Sequence, residues 1–152
     1  MALFIDRLRI GSPDFEEHGR IPFELTADGG NTVPRLEFSG APEGAVEYAI
    51  VCHDPDAPLP DGFTHWVVYG VPLDATSLDL SAPGVRVGPN GTGEANWFGP
   101  MPPHGHGEHH YYFWVYALRR PVEGAPSREA FLADYADAII EQARTVGLSR
   151  RD

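Results

Sequence analysis

Polar residues break the apolar pattern of this 152-residue chain at three places: Asp54-x-Asp56, His65, and the run His104–His110 with Tyr111 just beyond it. Each type has an ordinary structural role. A carboxylate before proline commonly accepts backbone N–H bonds in a turn, and a lone histidine in an apolar run is commonly a hydrogen-bonded core residue. Together they allow more. An aspartate bonded to an imidazole orients the ring and favours its protonated form. If Asp54, His65 and His109 met at one rim of a sheet, two cationic rings and the Tyr111 hydroxyl could hold an oxyanion such as phosphate.

The segment before this histidine run, Phe98-Gly99-Pro100-Met101-Pro102-Pro103, is stiff. Its prolines have no N–H, so the amides of Gly99 and Met101 are the ones left to face an anion. No activated nucleophile is evident. Cys52 and Ser39 have no identifiable neighbouring base, and no carboxylate pair divides acid from base, so turnover of simple phosphate esters is not expected. Gly88-x-x-Gly91-x-Gly93 lacks the Lys-Ser/Thr of a phosphate-binding loop, and no cofactor is indicated. The competing chemistry is a metal-dependent enzyme, with His104, His106, His109, His110 and Glu108 as nitrogen and oxygen ligands for Zn or Ni. A cupin barrel fails on spacing, because no Glu stands four or five residues after His106.

These residues must be positioned by strands. Gly (17) and Pro (15) make up about a fifth of the chain, which favours strands and turns over a helical bundle. Ala45–His53 alternates, with Val46, Tyr48, Ile50 and Cys52 on one face and Ala49 and Val51 on the other. Thr64–Val71 is nearly all apolar and predicts a central buried strand. His109–Leu118 predicts the strongest strand, with His109, Tyr111, Phe113 and Val115 on one face and His110, Tyr112, Trp114 and Tyr116 on the other. Ala2–Ile10 and Leu36–Phe38 predict short strands, and Leu73–Trp97 reads mainly as loop. Ser127 supplies the N-cap of a C-terminal helix in which Phe131, Tyr135, Ala138, Ile139 and Ile140 recur at helical spacing through Val146, ending at Gly147, with Glu129, Asp134, Asp137 and Glu141 towards solvent. The expected class is a mainly-β sandwich with a C-terminal helix, one domain over 1–152.

Composition excludes several functions. Twenty-two acidic residues against eleven basic ones, all arginine, give a formal net charge of −11, which repels polyanions and argues against nucleic acid binding through a basic face. Any anion site must be local, where close cations outweigh a field screened beyond about 8–10 Å. No apolar run approaches the roughly 20 residues of a spanning helix. The start shows no basic n-region or cleavage pattern, so no signal peptide is read. With one buried-looking thiol, Cys52, a reducing compartment and hence the cytoplasm is expected.

In order along the chain stand Gly19-Arg20-Ile21-Pro22, Asp28-Gly29-Gly30-Asn31, Pro34-x-Leu36-x-Phe38-Ser39-Gly40-x-Pro42-Glu43-Gly44, Asp54-Pro55-Asp56-Ala57-Pro58, His65-Trp66-Val67-Val68, Pro102-Pro103-x-Gly105 and His109-His110-Tyr111-x-Phe113. This series resembles the phosphatidylethanolamine-binding protein family, which includes the Raf kinase inhibitor proteins, in its short prokaryotic branch. The resemblance spans roughly residues 8–146. It implies a Greek-key β-sandwich with a small pocket for phosphate-like anions. It matches Asp54 and Asp56 to the acidic pair, Pro58 to the pocket proline, His65, His109 and Tyr111 to pocket residues, and Gly99 and Met101 to the Gly-rich segment. His110 stands where an arginine is usual, and Met101 where Gly or Cys is common. A homodimer, through the aromatic outer face of His110–Leu118, and a protein kinase or phosphoprotein partner are further expectations from the resemblance.

Overall fold

In the computed structural model, which describes residues 7–152, the alternating segments become the long strands of a six-stranded sheet. In chain order the elements are β1 (Arg9–Gly11), β2 (Gly19–Arg20), β3 (Glu37–Ser39), β4 (Glu47–Asp54), β5 (Phe63–Pro72), β6 (Arg86–Val87), β7 (His109–Leu118), α1 (Arg128–Tyr135) and β8 (Ile139–Ser149). The large sheet has the order β2-β8-β7-β4-β5-β6, and β1 pairs with β3 in a second, small sheet. Strands β4, β5 and β6 follow one another, and β7 returns to lie beside β4, which is the Greek-key order. All neighbours are antiparallel except the two-residue β2–β8 pair. Of the first predicted strand, residues 1–6 lie outside the described residues; β1 covers its end and continues to Gly11.

Alternation sorts the side chains as the period of two requires. Tyr48, Ile50 and Cys52 of β4 join Tyr111, Phe113 and Val115 of β7 in a core closed by Leu36, Phe38 and Trp97. Ala49, Val51, Tyr116 and Leu118 point to the other face, where Phe131 of α1 covers them. Phe38 meets Tyr48 edge-on at 5.0 Å, joining the small sheet to the large one.

The C-terminal helix is shorter than predicted. Ser127 does cap it, its side chain accepting from the Ala130 amide at 3.2 Å, but α1 ends at Tyr135 and a 3₁₀ turn follows. Residues from Ile139 onward form a strand that pairs with β7 from Leu118 back to His109. Ile139, Ile140, Thr145 and Val146 are β-branched, and β7 needs partners for the backbone groups of its second edge. Gly147 is no helix stop. It lies within β8 opposite Tyr111 and Gly19, and a Cβ there would come within 2.5 Å of Ile21. Glu141 is likewise not on a solvent-facing helix; its carboxylate accepts from the Leu8 amide at 2.9 Å. Among the described residues no helix is long and apolar enough to cross a membrane.

Candidate functional site

Antiparallel pairing brings the C-terminal end of β4 beside the N-terminal ends of β5 and β7, with Asp54 opposite Phe63 and His53 opposite Tyr112. Residues far apart in sequence therefore share one rim. A cavity of about 380 Å³ opens there, lined by Asp54, Pro58, His65, Met101, His109 and Tyr111 among others. Those are six of the eight side chains singled out in the sequence. Asp56 and Gly99 do not line it.

His65 reaches the cavity through a β-bulge. Cys52 of β4 pairs with Trp66, but the next residue, His53, pairs with Thr64, so His65 is the extra residue of β5. Simple alternation would send His65 and Trp66 to opposite faces. The bulge re-aims the ring, which stands edge-on to Tyr111 at 5.1 Å and to Phe63 at 4.8 Å.

His65 is not the cation the sequence suggested. Its Nδ1 bonds the Phe98 carbonyl, which can only accept, so Nδ1 carries the proton. Burial lowers the ring's pKa to about 4, and the Phe98 bond only partly offsets this. At neutral pH the ring is uncharged and Nε2 is an acceptor. A ligand must therefore offer it a donor, such as a protonated oxygen or an amine.

His109 and Asp54 form the polar floor. The two side chains are only 2% and 3% exposed, with His109 Nδ1 2.7 Å from Asp54 Oδ2. The other oxygen, Oδ1, accepts from the Asp56 amide at 2.7 Å, closing the turn that carries Pro58. The carboxylate thus orients the ring and shapes one wall. Tyr111 is fully buried. Burial, then the Asp54 charge, raises its pKa, so the phenol keeps its proton and can donate.

Asp56 works outside the cavity. Its Oδ2 accepts from both the amide and the ring Nδ1 of His110, each at 2.7 Å. Burial alone would raise its pKa, but these bonds outweigh it and hold the carboxyl below its usual range. His110 points away from His109, as strand parity predicts, and its ring is hydrogen-bonded to Asp56 rather than facing the cavity.

Gly99 has a packing role. A Cβ there would lie 2.2 Å from the Leu25 carbonyl, and its amide donates to Asn31 Oδ1 at 2.6 Å, so it does not face the cavity as an anion donor. Asn31, in the left-handed region at φ 57° where asparagine is tolerated, also donates Nδ2–H to the Trp97 carbonyl at 2.8 Å. Asn31 therefore clamps the Trp97–Gly99 segment whose Phe98 carbonyl fixes the His65 tautomer. Replacing Asn31 by alanine is expected to cost about 1–2 kcal/mol, two net hydrogen bonds, in urea unfolding.

Sequence reasoning missed the aromatic walls, Phe63 and Phe98, whose rings lie 5.8 Å apart. Phe63 could have been found as the strand residue two before His65; Phe98 carried no signal of its own. No arginine lines the cavity among the described residues. The histidine run disperses: His104 turns to the Asp152 backbone, His106 to His109, His110 to Asp56, and Glu108 to Arg20. Among the described residues no three His, Cys, Asp or Glu side chains are grouped to hold a metal ion. Cys52 is fully buried and burial pushes its thiol pKa well up, which removes it as a nucleophile.

Over residues 11–150 the sequence matches the phosphatidylethanolamine-binding protein family. The chain belongs to that family. Its relatives include a UPF0098 protein of Methanothermobacter thermautotrophicus, 37% identical over 146 residues, covering 90% of this chain and 95% of the relative. A UPF0098 protein of Aquifex aeolicus is 35% identical over 154 residues, covering 95% and 90%. The solved structure of Escherichia coli YbcL, described as a new member of the mammalian PEBP family, matches with a TM-score of 0.89 at 29% identity, covering 96% of this chain and 99% of that one. The prokaryotic type of the family, and its mainly-β fold, are therefore established for this chain.

Proposed function

We propose that this family member is a non-catalytic binding protein for a small molecule with a phosphate-like head group, seated in the cavity at the β4–β5–β7 rim. The observation that carries this reading is the convergence of Asp54, Pro58, His65, Met101, His109 and Tyr111 on one cavity. His109, oriented by Asp54, supplies the positive charge. Tyr111 donates its hydroxyl, and neutral His65 accepts from a protonated oxygen of the head group or from an attached amine. A single imidazole cation beside a carboxylate suits a monoanion better than a dianion.

The volume of about 380 Å³ sits at the low end of small-molecule sites, larger than a bare ion needs. Phe63 and Phe98 offer apolar surface to the rest of the ligand. Leu59 and Met101, 53% and 45% exposed, lie at the mouth, so a phosphoryl group borne by a protein partner such as a kinase is one admissible form of the guest. A cytoplasmic location accords with the lone buried Cys52. For a homodimer, the expected outer face of β7 narrows to His110, Tyr112 and Trp114, because α1 covers Tyr116 and Leu118; Arg144, which lies over the Tyr112 and Trp114 rings, would form part of that face.

Calorimetric titration with phenyl phosphate tests the reading. Binding is expected to be about tenfold tighter than for inorganic phosphate, from burial of the ring, and to vanish in His109→Ala. p-Nitrophenyl phosphate is expected to remain unhydrolysed. Hydrolysis that His109→Ala abolishes would overturn the non-catalytic reading, and heat of binding unchanged in that variant would overturn the site.

A further inference from the structure

We propose that His106 is a built-in occupant of this site, held on the ring nitrogen of His109 that a ligand oxygen must take, and that binding displaces it. The inference rests on the anion-binding reading above and concerns its regulation. Of the two nitrogens of His109, Nδ1 is committed to Asp54 inside the protein. Only Nε2 remains to donate to an oxyanion. That nitrogen lies 2.6 Å from Nδ1 of His106, with the ring centroids 4.8 Å apart. A ring nitrogen offers one in-plane bond, so His106 and a ligand oxygen exclude each other there.

Nothing in the fold depends on the His106 ring staying in place. His106 is exposed, and its neighbours Gly105 and Gly107 have no side chains to confine it. Both glycines have positive φ, +69° and +88°, and a Cβ built on either would have nothing within 4 Å. The backbone around the ring is anchored independently: the His106 amide donates to the Pro103 carbonyl at 3.1 Å, the Gly105 amide to the Arg151 carbonyl at 3.0 Å, and His109 is paired with Ser149. Rotation of the His106 side chain is therefore enough to release Nε2, while Pro102, Pro103 and His109 keep the cavity wall. The self-contact acts as an internal competitor that weakens the site for every oxyanion and sharpens selection for ligands able to displace it.

The test uses phenyl phosphate with the full chain carrying ¹⁵N-labelled histidine. The unliganded protein is expected to show nitrogen–nitrogen coupling between His106 Nδ1 and His109 Nε2, and saturation with phenyl phosphate to abolish it. His106→Ala is expected to bind about fivefold tighter than the parent, the factor that one net hydrogen bond is worth. Coupling that persists at saturation, or a variant that binds equally or more weakly, overturns the displacement while leaving the anion site intact. Absence of binding by both proteins overturns the anion reading, and the displacement with it.

Discussion

Asp54→Ala is expected to weaken phenyl phosphate binding at least a hundredfold and to lower unfolding stability by about 3 kcal/mol. The carboxylate makes two bonds at once from a position 2% exposed: Oδ2 to the His109 ring and Oδ1 to the Asp56 amide. Alanine leaves the His109 Nδ1–H without its carboxylate acceptor at a buried position. It also removes the carboxylate that orients that ring, and it unties the turn that holds Pro58 at the wall. Asp54→Asn separates these effects. The amide can still accept one of the two bonds, so its stability loss should be about half as large, while the loss of negative charge keeps binding weak. Urea unfolding followed by tryptophan fluorescence, with calorimetry at one pH, measures both quantities. A variant that binds as well as the parent would show that Asp54 only builds the turn.

Acid sensitivity is the second large effect, and it comes from His65. Its folded pKa is about 4, against about 6.5 in an unfolded chain. Between those values the unfolded state binds a proton that the folded state refuses, so stability falls as pH drops below 6.5 and levels off below 4. The 2.5-unit window corresponds to about 3 kcal/mol. His53, which burial and then the Arg128 charge also lower, adds loss of the same sign. His65→Gln keeps a donor for the Phe98 carbonyl and has no proton to gain, so its unfolding free energy should change much less from pH 7 to pH 4. Parallel slopes for parent and variant would mean that the ring takes up its proton at the same pH in the folded protein as in the unfolded chain.

Both expectations depend on details that differ in how far the sequence reveals them. Strands β4 and β7 were legible because alternation is a local signal: the faces of Tyr48, Ile50 and Cys52, and of Tyr111, Phe113 and Val115, follow from a period of two. The histidine and aspartate identities announced polar chemistry for the same reason, since they stand in otherwise apolar strands. The segment from Ile139 to Val146 misled because its apolar spacing also fits a helix, and only the unfilled edge of β7 selects a strand. Gly99 misled similarly. A glycine beside prolines reads as a loop offering amides, whereas the approach of Leu25 from 74 positions earlier in the chain is what requires it.

By itself, then, the amino-acid order determined the mainly-β class, the two best strands, and which side chains could serve an anion. Tertiary structure decided the bulge that turns His65 inward, the neutral state of that ring, the withdrawal of Asp56 from the cavity, and the pairing of His106 with His109. The physical reason is range. Side-chain alternation is set by each strand's own backbone, whereas a bulge, a buried ring's charge and a contact between two imidazoles depend on which distant segments supply hydrogen bonds and exclude water.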